Sequence, residues 1–282
     1  MIPEFHYSVR WRGTGGHPGS HPGMPLGDGQ AFAGHRPFLS HPDPRHLDLR
    51  ASIHDPFGQP WVRSFHQRSA IPVFVLADLS ASMGFRGVGN KLENLALFSA
   101  AAAYSAYRSG DPFGFVGCDE VLRWELFLPL RLHKGAAAEL YERLGRLSPA
   151  GRSADGLLQG VPYLGRRRAL VFLVSDFHFA DDRLDALLEM LVGHDVVPVV
   201  LWDSAEYERL PSFGLVHLQD PETGQRRRLF LRPKLRERLQ RAFAARKAEL
   251  RRRCSRYGRE PFFLIDRFDA DALTRYFHPS GG

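Results

Sequence analysis

Three stretches of this chain, residues 71–77 (IPVFVLA), 169–174 (ALVFLV) and 196–202 (VVPVVLW), contain no polar side chain. A strand with one face in water alternates apolar and polar residues, whereas a strand covered on both faces reads as a continuous apolar run, the condition found in parallel sheets flanked by helices. Each run is too short for a buried helix and stops at polar turn residues. Between the runs lie helical patterns. Residues 91–108 place Leu92, Leu95, Leu97 and Phe98 ahead of an alanine-rich stretch, residues 136–147 are amphipathic, a short helix leads to Leu164, and residues 181–191 begin with Asp181 and Asp182, where carboxylates favour a helix N-terminus. Strands alternating with helices require right-handed crossovers, so the expected fold is a doubly wound α/β domain with a mostly parallel sheet.

Other segments are peripheral to that core. Residues 113–118 and 121–128 are expected as two strands joined by a tight turn at Asp119-Glu120. Residues 213–218 and 228–231, around the turn Asp220-Pro221-Glu222-Thr223-Gly224, read as a hairpin, and Pro233 then opens a long helix. A strand over 262–265 and a helix over 270–277 close the pattern. Residues 1–68 form a Gly-, Pro- and His-rich preface with short strands, and residues 69–282 form the α/β domain. His17 and His21 lie in that preface, but the prolines around them forbid the helical turn on which two histidines four apart would converge on a metal.

Charge and cysteine content narrow the function classes. The formal net charge is +7, yet residues 226–259 hold 15 Lys and Arg against Glu237 and Glu249, which leaves the remainder of the chain at net −6. Basicity is thus one local feature, expected to be a solvated helix face or a docking surface rather than a nucleic-acid site. The only cysteines, Cys118 and Cys254, suit reduced thiols and not a disulfide framework or zinc site. With no leader pattern and no apolar run of membrane length, the expected location is cytoplasmic, without a membrane segment. Gly87-Val88-Gly89-Asn90-Lys91 lacks the spacing and hydroxyl of a phosphate loop, so ATP hydrolysis by this chain is not expected.

In open parallel sheets ligands gather beyond the carboxyl ends of the strands. Asp78 and Asp176 each follow an apolar run, and Ser80 and Ser82 lie in the turn after Asp78. Oxygen donors of this kind suit a hard divalent cation, Mg²⁺ or alternatively Mn²⁺ or Ca²⁺. Asp and Ser at this spacing also cap helices, which is the purely structural alternative.

Asp78-x-Ser80-x-Ser82 resembles the first motif of the metal-ion-dependent adhesion site of von Willebrand factor A domains, and Ser175-Asp176-Phe177 resembles the third. By this resemblance Ser153 stands where the second motif supplies a threonine, with Asp155 as a competing ligand. The chain is also similar to the bacterial von Willebrand A-like proteins associated with MoxR-type AAA ATPases, the family catalogued as domain of unknown function fifty-eight. Arg36-Pro37-Phe38, Asp43-Pro44-Arg45-His46-Leu47-Asp48, Arg50-Ala51-Ser52 and Val62-Arg63-Ser64-Phe65 carry that likeness, with Leu49 where the family usually has Trp. The resemblance implies a non-enzymatic, metal-dependent protein–protein interaction module. It would recruit an acidic residue of a partner and work with a MoxR-type ATPase in assembly or maturation of a client complex, for example a metalloenzyme. The competing expectation is a haloacid dehalogenase-like phosphohydrolase with Asp78 as nucleophile, although that chemistry wants a carboxylate two residues on, where this chain has Ser80.

Overall fold

A computed structural model describes residues 2–13, 18–27, 31–208, 214–219 and 226–278. It divides into two compact units. The smaller, residues 8–71 with 109–111, holds a four-stranded antiparallel sheet. Its strands are β1 (Pro18–Gly27), β2 (Ala31–Pro37), β3 (Leu47–Asp48) and β4 (Trp61–Ser69), and a one-turn helix α1 (Leu49–Ile53) follows β3. β4 is central, pairing with β1, β2 and β3. The register between β1 and β4 shifts twice. Gly23 lets the strands close at that irregularity, because a Cβ there would meet the Gln67 carbonyl oxygen at 2.3 Å. His21 is no metal ligand candidate here: its Nε2 meets the buried Asp111 carboxylate at 2.7 Å, and Asp111 also accepts the Ile71 N–H. His17 lies outside the described residues.

The larger unit comprises residues 2–7, 72–108 and 112–278. It contains β5 (Val73–Asp78), α2 (Lys91–Ser109, whose last residue belongs to the smaller unit), β6 (Phe113–Cys118), β7 (Leu128–Arg131), α3 (Ala136–Gly145), α4 (Gly156–Gly160), β8 (Leu170–Ser175), α5 (Asp181–Met190) and β9 (Asp195–Trp202). Then come β10 (Gly214–Gln219), β11 (Arg226–Leu231), α6 (Pro233–Ser255), β12 (Phe262–Ile265) and α7 (Ala270–Phe277). Six strands form one sheet in the order β12-β9-β8-β5-β6-β7, parallel except for β7. The mixed α/β architecture with a mostly parallel sheet is therefore as expected.

β5, β6, β8 and β9 are buried at every position, which is why their sequences, Asp78, Ser175 and Asp195 apart, are so apolar. Pro198 is tolerated in β9 because β12 covers only Val199–Trp202, so at Pro198 the strand has a neighbour on one side alone. Phe5 completes the core, with its ring 5.9 Å from Phe172 and 6.3 Å from Phe98 and its N–H donated to Ser105 Oγ at 3.0 Å.

Residues 121–128, expected as one strand, do not form one. After a bridge between Cys118 and Leu122 the chain makes a tight turn at Trp124–Leu126, and pairing with β6 resumes at Leu128–Arg131. Arg123 turns back to the buried Asp119, and Trp124 packs with Phe127 and Tyr163, so side-chain contacts override the local strand preference. β10 and β11 pair antiparallel; residues 220–225, expected as the turn between them, lie outside the described residues, as does Phe213.

Candidate functional site

β5 and β8 are neighbours at the centre of the sheet, and the chain leaves β5 toward β6 on one side but leaves β8 toward β9 on the other. Loops diverge at such a switch point and open a crevice beyond the strand ends. Asp78 ends β5 and Ser175 ends β8, so the topology brings two residues 97 apart in sequence to one place: the Ser175 hydroxyl donates to Asp78 Oδ2 at 2.6 Å. Asp176 follows directly, and its charge couples to that of Asp78. Both carboxylates are 1% exposed.

The turn after β5 adds the hydroxyls. Asp78 Oδ1 accepts the Ser80 N–H at 2.9 Å, which folds the chain back over the strand end. Ser80 then takes the N-cap position of the turn Ala81–Gly84, yet its side chain makes no capping bond. Its Oγ lies 3.2 Å from Ser82 Oγ instead. The capping explanation for this motif thus fails at Ser80, and the two hydroxyls stand with the two carboxylates.

Burial, followed by the charge of Asp176, pushes Asp78 up to about 6; the Ser175 and Ser80 hydrogen bonds offset only part of this. Asp176 goes the other way. Burial pushes it up, but the Lys91 ammonium, His178 and the Ser82 hydroxyl outweigh burial and hold it below the usual carboxylate range. Lys91 Nζ is 3.1 Å from Asp176 Oδ2 and 2.8 Å from Glu206 Oε1, and its side chain is 2% exposed.

The loop carrying Asp176 is held on its far side. Trp202 Nε1 donates to the Asp176 carbonyl at 2.8 Å, and His178 stacks on the Trp202 ring. Phe177 adopts φ +54°, a conformation uncommon for a bulky residue. Arg246 of α6 bonds the Phe177 and Phe179 carbonyls at 2.7 and 3.0 Å and pairs with Asp181.

The backbone of the second-motif segment meets the turn: Ala81 N–H donates to Gly151 O at 2.8 Å. The Ser153 hydroxyl accepts the Asp155 N–H at 3.4 Å and Asp155 pairs with Arg183; among the described residues no bond joins either of them to Asp78, Ser80, Ser82 or Asp176. Asp119, just beyond β6, is a further buried carboxylate at this end of the sheet and was not anticipated. It packs against Gly151, where a Cβ would come within 2.4 Å of its own Cβ, and it is engaged by Arg123. Its signal was the one used for Asp78 and Asp176, a carboxylate directly after an apolar strand. Among the described residues no group of three or more His, Cys, Asp or Glu is arranged to hold a metal. The cluster is one of two carboxylates with hydroxyls, and no carboxyl acid stands two residues beyond Asp78, so the phosphohydrolase alternative finds no support.

A protein of Paracoccus denitrificans described as an uncharacterized protein in the moxR 3' region is 40% identical over 98 residues, covering 35% of this chain and 93% of that protein. An uncharacterized protein of Mycobacterium tuberculosis is 26% identical over 240 residues, covering 83% of this chain and 74% of its own length. Among solved structures, a conserved hypothetical protein BatB from Bacteroides thetaiotaomicron aligns at TM-score 0.43 and 13% identity over 74% of this chain and 98% of its own. An aerotolerance-related membrane protein from Bacteroides fragilis aligns at 0.42 and 12%, over 74% of this chain and 100% of its own. The family described as "Protein of unknown function DUF58" matches residues 36–249, well over half of the chain, and the chain belongs to that family.

Proposed function

We propose that this protein is a von Willebrand A-like, non-enzymatic interaction module whose Asp78, Ser80, Ser82 and Asp176 hold a divalent cation, Mg²⁺ in the first instance, that recruits an acidic residue of a partner. The observation that carries this reading is the convergence of those four side chains at the β5/β8 switch point, with Ser80 diverted from capping toward Ser82. The donor set fits the ion. Burial and, after it, the charge of Asp176 push Asp78 up to about 6, a strain a divalent cation relieves, and oxygen donors from one or two carboxylates with hydroxyls and water are what Mg²⁺ takes. When bound, the cation would supply a Lewis-acidic position for an incoming carboxylate.

The chain's own groups do the rest. Ser175 and the Ser80 N–H fix the Asp78 carboxylate, Lys91 and the His178 N–H fix that of Asp176, and Trp202 holds the Asp176 backbone. Ser153 or Asp155 joins the site only if residues 151–155 rearrange when a partner docks. A MoxR-type AAA ATPase as the working partner, in assembly or maturation of a client complex, is supported by the moxR 3' position named for the Paracoccus relative.

Isothermal calorimetry with Mg²⁺ and Mn²⁺ is expected to show saturable binding that Asp78→Ala abolishes while the circular dichroism stays native. Unchanged affinity in that variant removes the site. Pull-down of the cognate ATPase is expected to fail with chelator and with Ser80→Ala, and capture that ignores both would count against metal-dependent recruitment. No metal-dependent turnover of aryl phosphates is expected; turnover lost in Asp78→Asn would restore the phosphohydrolase.

A further inference from the structure

Lys91 is the one cationic side chain bonded directly to a carboxylate of the cluster among the described residues, and no feature of the metal-site motif calls for it. Its ammonium lies between Asp176 and Glu206, over the Phe85 ring at 5.5 Å. Two carboxylates face this buried ammonium, Asp176 at 3.1 Å and Glu206 at 2.8 Å, and ion pairs on both sides favour its charged form.

The ammonium is also anchored in place. Glu206 uses Oε1 for Lys91 and Oε2 for the Asp203 N–H at 3.1 Å, within a reciprocal cap at the end of β9. Asp203 in turn accepts the N–H groups of Val88 and Gly89 at 3.0 and 2.7 Å, pinning the loop that leads into Lys91. Gly89 is required there, since a Cβ would meet the Asp266 carbonyl oxygen at 1.9 Å. A flexible side chain is thereby made into a fixed positive charge with one oxygen of Asp176 in its grasp.

We propose that Lys91 is a built-in counter-cation that sets the affinity of the metal site, with Glu206 dividing its charge between the site and the end of β9. The proposal rests on the metal-site reading above. A fixed unit charge a few ångströms from a divalent ion opposes its binding through a medium that screens poorly, and it removes one Asp176 oxygen from the donor set. Lys91 also neutralises the carboxylate pair while the cation is away. Glu206 works against it: the more strongly Glu206 holds the ammonium, the less of its charge Asp176 receives.

Opposite changes in two variants follow, which a merely structural role would not produce. Lys91→Met is expected to bind Mn²⁺ more tightly, by about tenfold or more, and to show a lower melting temperature without metal that rises further on adding it than wild type does. Glu206→Gln is expected to bind Mn²⁺ more weakly, also by about tenfold. Calorimetry and metal-dependent melting, run on wild type, Asp78→Ala and both variants, decide the matter. Weaker binding in both variants, or no change in Glu206→Gln, overturns the proposal while leaving the metal site intact. If Lys91→Met does not fold, Glu206→Gln is read alone: weakening supports the proposal, and unchanged or tighter binding ends it. Wild type that binds no Mn²⁺ ends both the metal-site reading and this one.

Discussion

Asp78 keeps its charge against both burial and a neighbouring carboxylate, and this makes metal-free stability depend on pH with a definite sign. Its folded value of about 6 lies above the ordinary 3.8, so between these values the folded state holds more protons than the unfolded one and stability falls as pH rises. Above pH 6 the whole penalty is present. Asp176, held low, contributes in the opposite sense and loses its contribution as the solution is acidified. Asp78→Asn is therefore expected to be more stable than wild type at pH 7.5 in chelator, by roughly 1–3 kcal/mol, with the gap closing toward pH 4. Urea denaturation at the two pH values checks this, and a gap independent of pH would refute it. The thiols offer a simpler test. Burial pushes both Cys118 and Cys254 up to about 12, so neither is expected to react with a thiol reagent until the protein unfolds.

Among the elements, those buried on both faces were the most legible: residues 71–77, 169–174 and 196–202 correspond to β5, β8 and β9. Asp78 and Asp176 were legible for the same reason, because a carboxylate stands out after an apolar run. β1 was not, since Gly19 and Gly23 bring backbones together and leave no alternation to read. Lys91 was invisible as a site residue because its partner Glu206 lies 115 positions away, and Ser153 rested on motif likeness that no bond in the described residues supports. α6 shows how a basic stretch misleads: Arg246 and Arg253 are occupied by Asp181, Asp185 and backbone carbonyls. Gly89→Ala is expected to cost about 1–3 kcal/mol and to tighten metal binding by displacing the loop that fixes Lys91; a melting curve and a Mn²⁺ titration read both, and a wild-type titration in a destabilised variant would separate the loop from the site.

Across the whole chain, each unit draws on distant sequence. Phe5 fills the larger unit's core beside Phe98 and Phe172, so Phe5→Ala is expected to destabilise that unit by about 3–5 kcal/mol, seen as a lower urea midpoint with an unchanged slope; a loss under about 1 kcal/mol would mean the cavity is readily refilled. Among the described residues no helix is long and apolar enough to cross a membrane. β5, β6, β8, β9 and β12 are each followed by or end in an aspartate, but Asp119, Asp203 and Asp266 are committed to Arg123, to loop N–H groups and to Ser204. Asp78 and Asp176 are bonded as well, to Ser175, Lys91 and the N–H groups of Ser80 and His178, and differ in being the pair that adjoins the Ser80 and Ser82 hydroxyls. The grip of Arg246 on the carbonyls of Phe177 and Phe179 has a mechanical corollary. Traction along α6 is delivered through Arg246 to the backbone either side of His178, two residues past Asp176, and through Arg253 to Asp181 and Asp185. α6 is thus a mechanical handle on the loop that carries Asp176.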